Sequence, residues 1–403
     1  MTTPDRNAPP HQPPLTSAGG ASAPQPTLED FEEPYALLAR LREREPVAWV
    51  GVLGGWLVTR RDLAMEALND PGAFTVDDPR FSTGRVVGPS MLTLDGAQHG
   101  RHRAPFAGPF RLAAVRERFT ALVAAETDRL IDAVVPAGRA ELRRSFAGPL
   151  AAVVVMHALG LRDTAPATLL GWYDGMVEAV DELTRGGELG DRGRTSFAAL
   201  RDALGPVLEG EAADSLLAAA AQAATGLDRE EVVSNAAVLL FGGIETTEGM
   251  IANAVLHLLA YPDQRALVAA GPHRLGNAIE ESLRLEPAAA MLDRYATRDA
   301  RLGGAAIRRG DLVRISVTAA NRDPATFPDP DRFDVARPNA ARHLAFARGP
   351  HVCIGMHLAR LEAHTAVARL LARLPGLRLD AGRPAAPRGL VFRKPPELRV
   401  VWG

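Results

Sequence analysis

The 403-residue chain predicts a mainly α-helical protein with small β-sheets, and three observations carry that prediction. Apolar residues recur at helical spacing from about 112 to 290, with many Ala and Leu. Strand-like alternation is confined to short stretches, around residues 47–60 and 292–317. A last helical pattern, IGMHLARLEAHTAVARLLARL, directly follows the only cysteine, Cys353.

Composition narrows the function classes. Forty-seven per cent hydrophobic residues supply a substantial core. With 46 basic and 48 acidic side chains the formal charge is -2, so nothing draws the whole chain to nucleic acid or to an anionic membrane. A single cysteine makes no internal disulfide and no multi-cysteine zinc site, which points to the cytoplasm. Residues 1–27, rich in Pro, Ser, Gly and Ala, lack the apolar stretch of a signal peptide and are expected to be a disordered tail. Residues 28–403 are expected to form one domain, without a linker or internal repeat. The most apolar run, GPLAAVVVMHALGL at 148–161, is too short to span a bilayer and reads as a buried helix.

Taken in order, VAWVGVLGGWLVTR at 47–60 places two β-rich pieces around Gly54 and Gly55, a hairpin signal. The next distinctive element is a helix from Arg229 to Tyr261, with Asp228 and Glu231 as a capping pair and Pro262 just beyond. It would run about 50 Å. Its middle reads GGIETT, where paired glycines and threonines predict a bulge or bend. Gly242 and Gly243 either admit another helix or leave room for something flat and bulky. After residue 292 the alternation LDRYATRDARLGGAAIRRGDLVRISV predicts short strands, followed by the Pro- and Asp-rich ANRDPATFPDPDRFDVARP.

Cys353 lies between Gly349 and Gly355, two residues after His351 and at the start of the last helix, where amides and the helix dipole favour a thiolate. Phe346 could shield the sulfur from water. Three readings are open: an inert buried thiol, a nucleophile with His351 as base, or a thiolate on haem iron. The third demands cationic partners for two propionates and room for oxygen on the opposite haem face.

Four segments, in order along the chain, meet that demand, and with them the chain resembles the haem-thiolate monooxygenases, cytochrome P-450, of the soluble bacterial type. FARGPHVCIG resembles the family's Cys segment, which implies Cys353 as the iron ligand and His351 as a propionate partner; Ala347 stands where the family usually has Gly. EESLR supplies Glu281 and Arg284 in the family's Glu-x-x-Arg arrangement, to be completed by Arg332 or Arg337. DGAQHGRHR implies His99 and Arg103 as propionate partners, although Gly96 and Ala97 replace prolines and His102 replaces an apolar residue. Arg294 matches a further propionate contact. GGIETT implies an acid and an alcohol, Glu245 and Thr246, that deliver the two protons oxygen activation consumes.

The resemblance implies a single-domain cytochrome P-450 fold, with a long central helix crossing the haem and a Cys-ligand loop before a C-terminal helix. It implies heme b as cofactor and a monooxygenase that inserts one atom of O2 into an apolar small molecule, by hydroxylation or a related oxidation in secondary metabolism. The alternative is a haem protein of the same fold that senses a ligand or carries electrons without oxygenation. The sequence has no Gly-x-Gly-x-x-Gly segment, so electrons are expected from a separate ferredoxin and ferredoxin reductase. Arg348, His357 and Arg360, with Arg342 nearby, form either its docking patch or a solvated basic surface. A monomer, with no nucleic-acid or membrane partner, is expected. Hydrolase and metalloprotease readings fail for want of Gly-x-Ser-x-Gly and His-Glu-x-x-His. By the same resemblance the segments Phe74 to Ser90 and Pro287 to Leu292 should face the substrate pocket, with Ala288, Ala289 and Ala290 giving room and Met291 and Leu292 an apolar lining.

Overall fold

The computed structural model describes residues 25–211, 215–223 and 226–403, so nearly all of the expected Pro-rich tail lies outside the described residues. The expected hairpin is present: β1 (Val47–Val50) pairs antiparallel with β2 (Gly55–Val58), Val47 opposite Val58, and Gly54 closes the connection at φ +60°. A short β3 (Phe74–Thr75) follows. Then come α1 (Gly96–Ala107), α2 (Leu112–Val134), α3 (Gly148–Leu159), α4 (Pro166–Thr184), α5 (Arg229–Ala260) and α6 (Leu275–Leu285). Strands β4 (Met291–Ala296) and β5 (Leu312–Ser316) and helix α7 (Met356–Arg373) complete the frame around the site. The main sheet runs β1-β2-β5-β4-β3 and is antiparallel except where β2 meets β5. Among the described residues no helix is long and apolar enough to cross a membrane.

Helix α5 is the spine. A capping box formed by Asp228 and Glu231 starts it, and its 32 residues span about 48 Å. Its first half, Val232 to Ile244, packs into an apolar cluster with α4 and part of α3. Its second half, Met250 to Leu258, packs with α2, α6 and α7. The predicted bulge at GGIETT is absent, and the helix runs through it unbroken. The two glycines differ in what lies beside them. A Cβ on Gly243 would meet Val155 Cγ2 of α3 at 2.6 Å, so that glycine serves close helix packing; around a Cβ on Gly242 nothing lies within 4 Å. The Thr246 hydroxyl bonds back to the Gly242 carbonyl at 2.6 Å, inside the helix rather than in place of it.

The Pro- and Asp-rich stretch wraps around α6. Glu281 accepts from Arg284 Nε and Nη2 at 2.7 and 2.9 Å and from Arg337 Nε at 2.9 Å, and Glu281 and Arg284 are wholly buried. Arg337 therefore completes the network. Arg332 lends only its carbonyl, which accepts from Arg284 and Arg337, while its own side chain is exposed.

Candidate functional site

The Cys segment is a tight loop ahead of α7, closed by a hydrogen bond from the Cys353 amide to the Phe346 carbonyl at 2.9 Å. Ala347 adopts a left-handed φ of +56°, so alanine takes the conformation a glycine would accept freely, at a cost of about 1 kcal/mol. Gly349, at φ +70°, cannot be replaced as cheaply: a Cβ there would sit 2.3 Å from the Leu68 carbonyl oxygen. Protein atoms surround Cys353, and its side chain opens onto an internal cavity. Burial pushes its thiol pKa up, against the pull of the Gly355 amide and of Arg103 and Arg360. Burial thus opposes the preference for a thiolate expected from the amides and the helix terminus. Helix α7 begins only at Met356 and burial wins; a metal bound at the sulfur would remove the proton outright.

The cavity spans about 1360 Å³ of space between protein atoms, part of it open to solvent. Cys353, Phe346 and Leu358 line it from the loop and α7; Gly242, Gly243 and Thr246 line it from α5. Val155, Met91, Leu92, Ala288, Ala289 and Leu292 add an apolar wall. Two expectations about that wall are overturned. The stretch Phe74 to Ser90 does not line the cavity: Phe74 pairs into the sheet and Val86 and Val87 enter the core. The lining begins at Met91, whose amide is pinned to Asn235 of α5 at 2.8 Å. Met291 also faces away, into a cluster with Phe31 and Leu37, because strand alternation sends it opposite to Leu292.

A polar edge adjoins Cys353. His351 Nε2 meets Asp95 Oδ1 at 2.8 Å, and Asp95 also accepts from the Thr75 hydroxyl and the Val76 amide. The His99 ring lies 4.4 Å from that of His351, and its Nε2 is buried with no hydrogen-bond partner. Burial, reinforced by His351 and Arg103, brings the His99 pKa down to about 4. Arg103 lines the cavity and donates to the Val352 carbonyl at 2.6 Å. Arg294 is buried, donates to the Asp293 carbonyl, and is lowered to about 10 chiefly by burial. Arg103 and His351 stand on the cavity wall and His99 and Arg294 do not, but Asp95 acts electrostatically on both of the latter. His351 meets the Asp95 carboxylate, His99 and Arg294 feel its charge, Arg103 acts on His99 from the cavity wall, and one buried nitrogen is orphaned. Such a donor set fits a ligand that brings carboxylates of its own.

Thr246 and Glu245 are neighbours in sequence but face different spaces, because consecutive helical residues point about 100° apart. Thr246 is on the cavity wall. Glu245 is buried, with Oε1 2.7 Å from Lys394 Nζ, and lines a second, polar cavity that is partly open to solvent. Three residues here were missed from sequence. Asp95 opens the quoted DGAQHGRHR segment, and Lys394 is the only lysine of the chain, a signal that composition could have raised. Glu362 of α7 lines the first cavity, wholly buried, with Oε2 unpartnered and its pKa pushed well above the carboxylate range by burial.

On the expected docking face, Arg360 is engaged. It grips Glu280 through two bonds of 2.6 and 2.8 Å and stacks over Phe346 at 4.5 Å. His357 is drawn down in pKa by burial, then by Arg360 and Arg116. Arg342 and Arg348 remain exposed.

The family model described as Cytochrome P450 matches residues 274–395. The cytochrome P450 monooxygenase PikC of Streptomyces venezuelae is 35% identical, with 94% of each chain covered. The 20-oxo-5-O-mycaminosyltylactone 23-monooxygenase of Streptomyces fradiae is 34% identical over 84% of this chain and 82% of that one. The solved structure of P450BioI, in complex with hexadec-9Z-enoic acid ligated acyl carrier protein, superposes with a TM-score of 0.84 at 29% identity, covering 93% of this chain and 99% of that one.

Proposed function

Because this chain belongs to the cytochrome P450 family, and so is a haem b monooxygenase acting on a small organic molecule with dioxygen, we propose that Cys353 is its iron ligand. The observation that carries the reading is that the Cys353 sulfur and the Thr246 hydroxyl open onto one cavity. Bound there, haem would supply dioxygen activation and the thiolate would supply electron density to it. Everything else falls to the chain. Arg103 and His351, backed by His99 and Arg294, hold the propionates by charge-assisted hydrogen bonds, and the unpaired His99 nitrogen is the strongest support for that role. Thr246 holds and passes protons at the cavity wall, and Glu245 draws them from the polar side of α5. The apolar wall excludes water and orients an apolar substrate.

The substrate class follows the relatives, one of which acts on 20-oxo-5-O-mycaminosyltylactone: a sizeable, largely apolar secondary metabolite. Electrons come from a separate ferredoxin and its reductase in the cytoplasm, with the protein acting as a monomer. With Arg360 held by Glu280, the exposed Arg342 and Arg348 are the docking cations that remain. Oxygen uptake tests the function: it is expected to require ferredoxin, reductant and substrate together and to slow as salt rises. Uptake indifferent to substrate would contradict it.

A further inference from the structure

We propose that Lys394 is a positioning residue that hands protons to Glu245, and that the polar cavity behind α5 is the solvent side of this path. The inference rests on the roles given above to Glu245 and Thr246. Every other one of the chain's 46 Lys and Arg residues is an arginine, and the single lysine stands where a cation touches the acid beside Thr246. Its Nζ lies 2.7 Å from Glu245 Oε1 and 2.5 Å from Glu248 Oε2. Its stem lies along α5 beside Gly249: a Cβ on that glycine would be in ordinary contact with Lys394 Cβ, at 3.5 Å, and would crowd Ala288 Cβ at 2.9 Å.

The charged surroundings fit a carrier rather than a simple brace. Glu245 and Glu248 face Lys394 from α5. Arg143 and Arg144, in the turn before α3, lie 3.1 and 4.0 Å from Glu248, so that carboxylate keeps cationic partners of its own. Asp181 of α4 interacts with Lys394 electrostatically, and Asp181 and Arg185 line the same cavity. An arginine would grip Glu245 at least as firmly but cannot release a proton; an ammonium can. In the proposed step one N–H bond of Lys394 breaks and one O–H bond forms on Glu245, leaving a neutral amine and a neutral acid. The cluster's net charge does not change. The acid, no longer held by an ion pair, is free to turn toward Thr246, and the amine is reprotonated by a solvent hydronium reaching it through the polar cavity, which leaves water.

The test compares Lys394→Arg, Lys394→Met and Thr246→Ala with the unaltered holoprotein. Lys394→Arg is expected to match it in haem content, unfolding midpoint and ligand-induced spin-state change. Its conversion of electrons to product is nevertheless expected to fall by about tenfold, to the level of Lys394→Met, with a larger solvent-deuterium effect on oxygen consumption. Full rescue by arginine would overturn the proton transfer. Loss of coupling in Thr246→Ala but not in Lys394→Arg would sink this inference alone, whereas full coupling in Thr246→Ala would sink the reading beneath it. Acetic anhydride gives a readout independent of turnover, since it can acylate only one lysine. Modification of Lys394 in the native holoprotein is expected, and modification only after unfolding would overturn the solvent path.

Discussion

The Thr246 hydroxyl donates a 2.6 Å hydrogen bond to the Gly242 carbonyl, one turn back along α5. That bond uses the hydroxyl's proton and parks its oxygen at the cavity wall with both lone pairs free to accept. Replacing Thr246 by Ala removes the proposed proton carrier but not the cavity. Product formed per electron pair is expected to drop by about tenfold or more, with hydrogen peroxide rising to match and substrate affinity retained. Unchanged coupling would rule out the role.

Glu281 is buried between Arg284 and Arg337. Glu281→Gln leaves buried guanidinium charge uncompensated and should cost about 3–5 kcal/mol in urea unfolding. Arg337→Ala should also destabilise strongly. Arg332→Ala, which touches only an exposed side chain, should stay within about 0.5 kcal/mol. Equal effects at Arg332 and Arg337 would contradict the network.

Ala347 holds a left-handed backbone. Ala347→Gly trades strain against chain entropy and should be neutral or stabilising by up to about 1 kcal/mol. Ala347→Val, with a branched side chain at the same φ, should lose more than about 1 kcal/mol and weaken haem retention. A valine variant as stable as the parent would show that the loop does not need this geometry.

His257 is buried against Ser282 Oγ at 2.9 Å, and burial, then Arg322 and Arg284, pull its pKa to about 3. The unfolded chain, at the usual 6.5, therefore binds the extra proton between these values. The contribution is complete above pH 6.5 and is lost as pH falls toward 3, amounting to about 2 kcal/mol by pH 5. His257→Gln, which keeps a hydrogen bond to Ser282, should flatten that acid limb of the stability curve.

The parts of this protein that were legible in sequence are those where local pattern and chemistry coincide. The hairpin at Gly54, the capped spine from Asp228 and the Cys353 loop each combine a periodicity with a residue that has one common reason to be there. The GGIETT bulge was misjudged because glycine cost is a local quantity, and the tertiary approach of Val155 to Gly243 repays it. Met291 was misassigned for want of strand register, which the composition of its segment does not reveal. Glu245's partner, Lys394, lies almost 150 residues further on, and no local pattern links the two. The choice of Arg337 over Arg332 was equally a matter of three-dimensional reach.

The coordination of iron by Cys353 is tested most directly by the absorption spectrum of the reduced carbon monoxide complex. The unaltered holoprotein should show the red-shifted Soret band of a thiolate-ligated haem, and Cys353→Ser should lose it while the apoprotein still folds. A thiolate-type band that persists in Cys353→Ser would contradict the assignment.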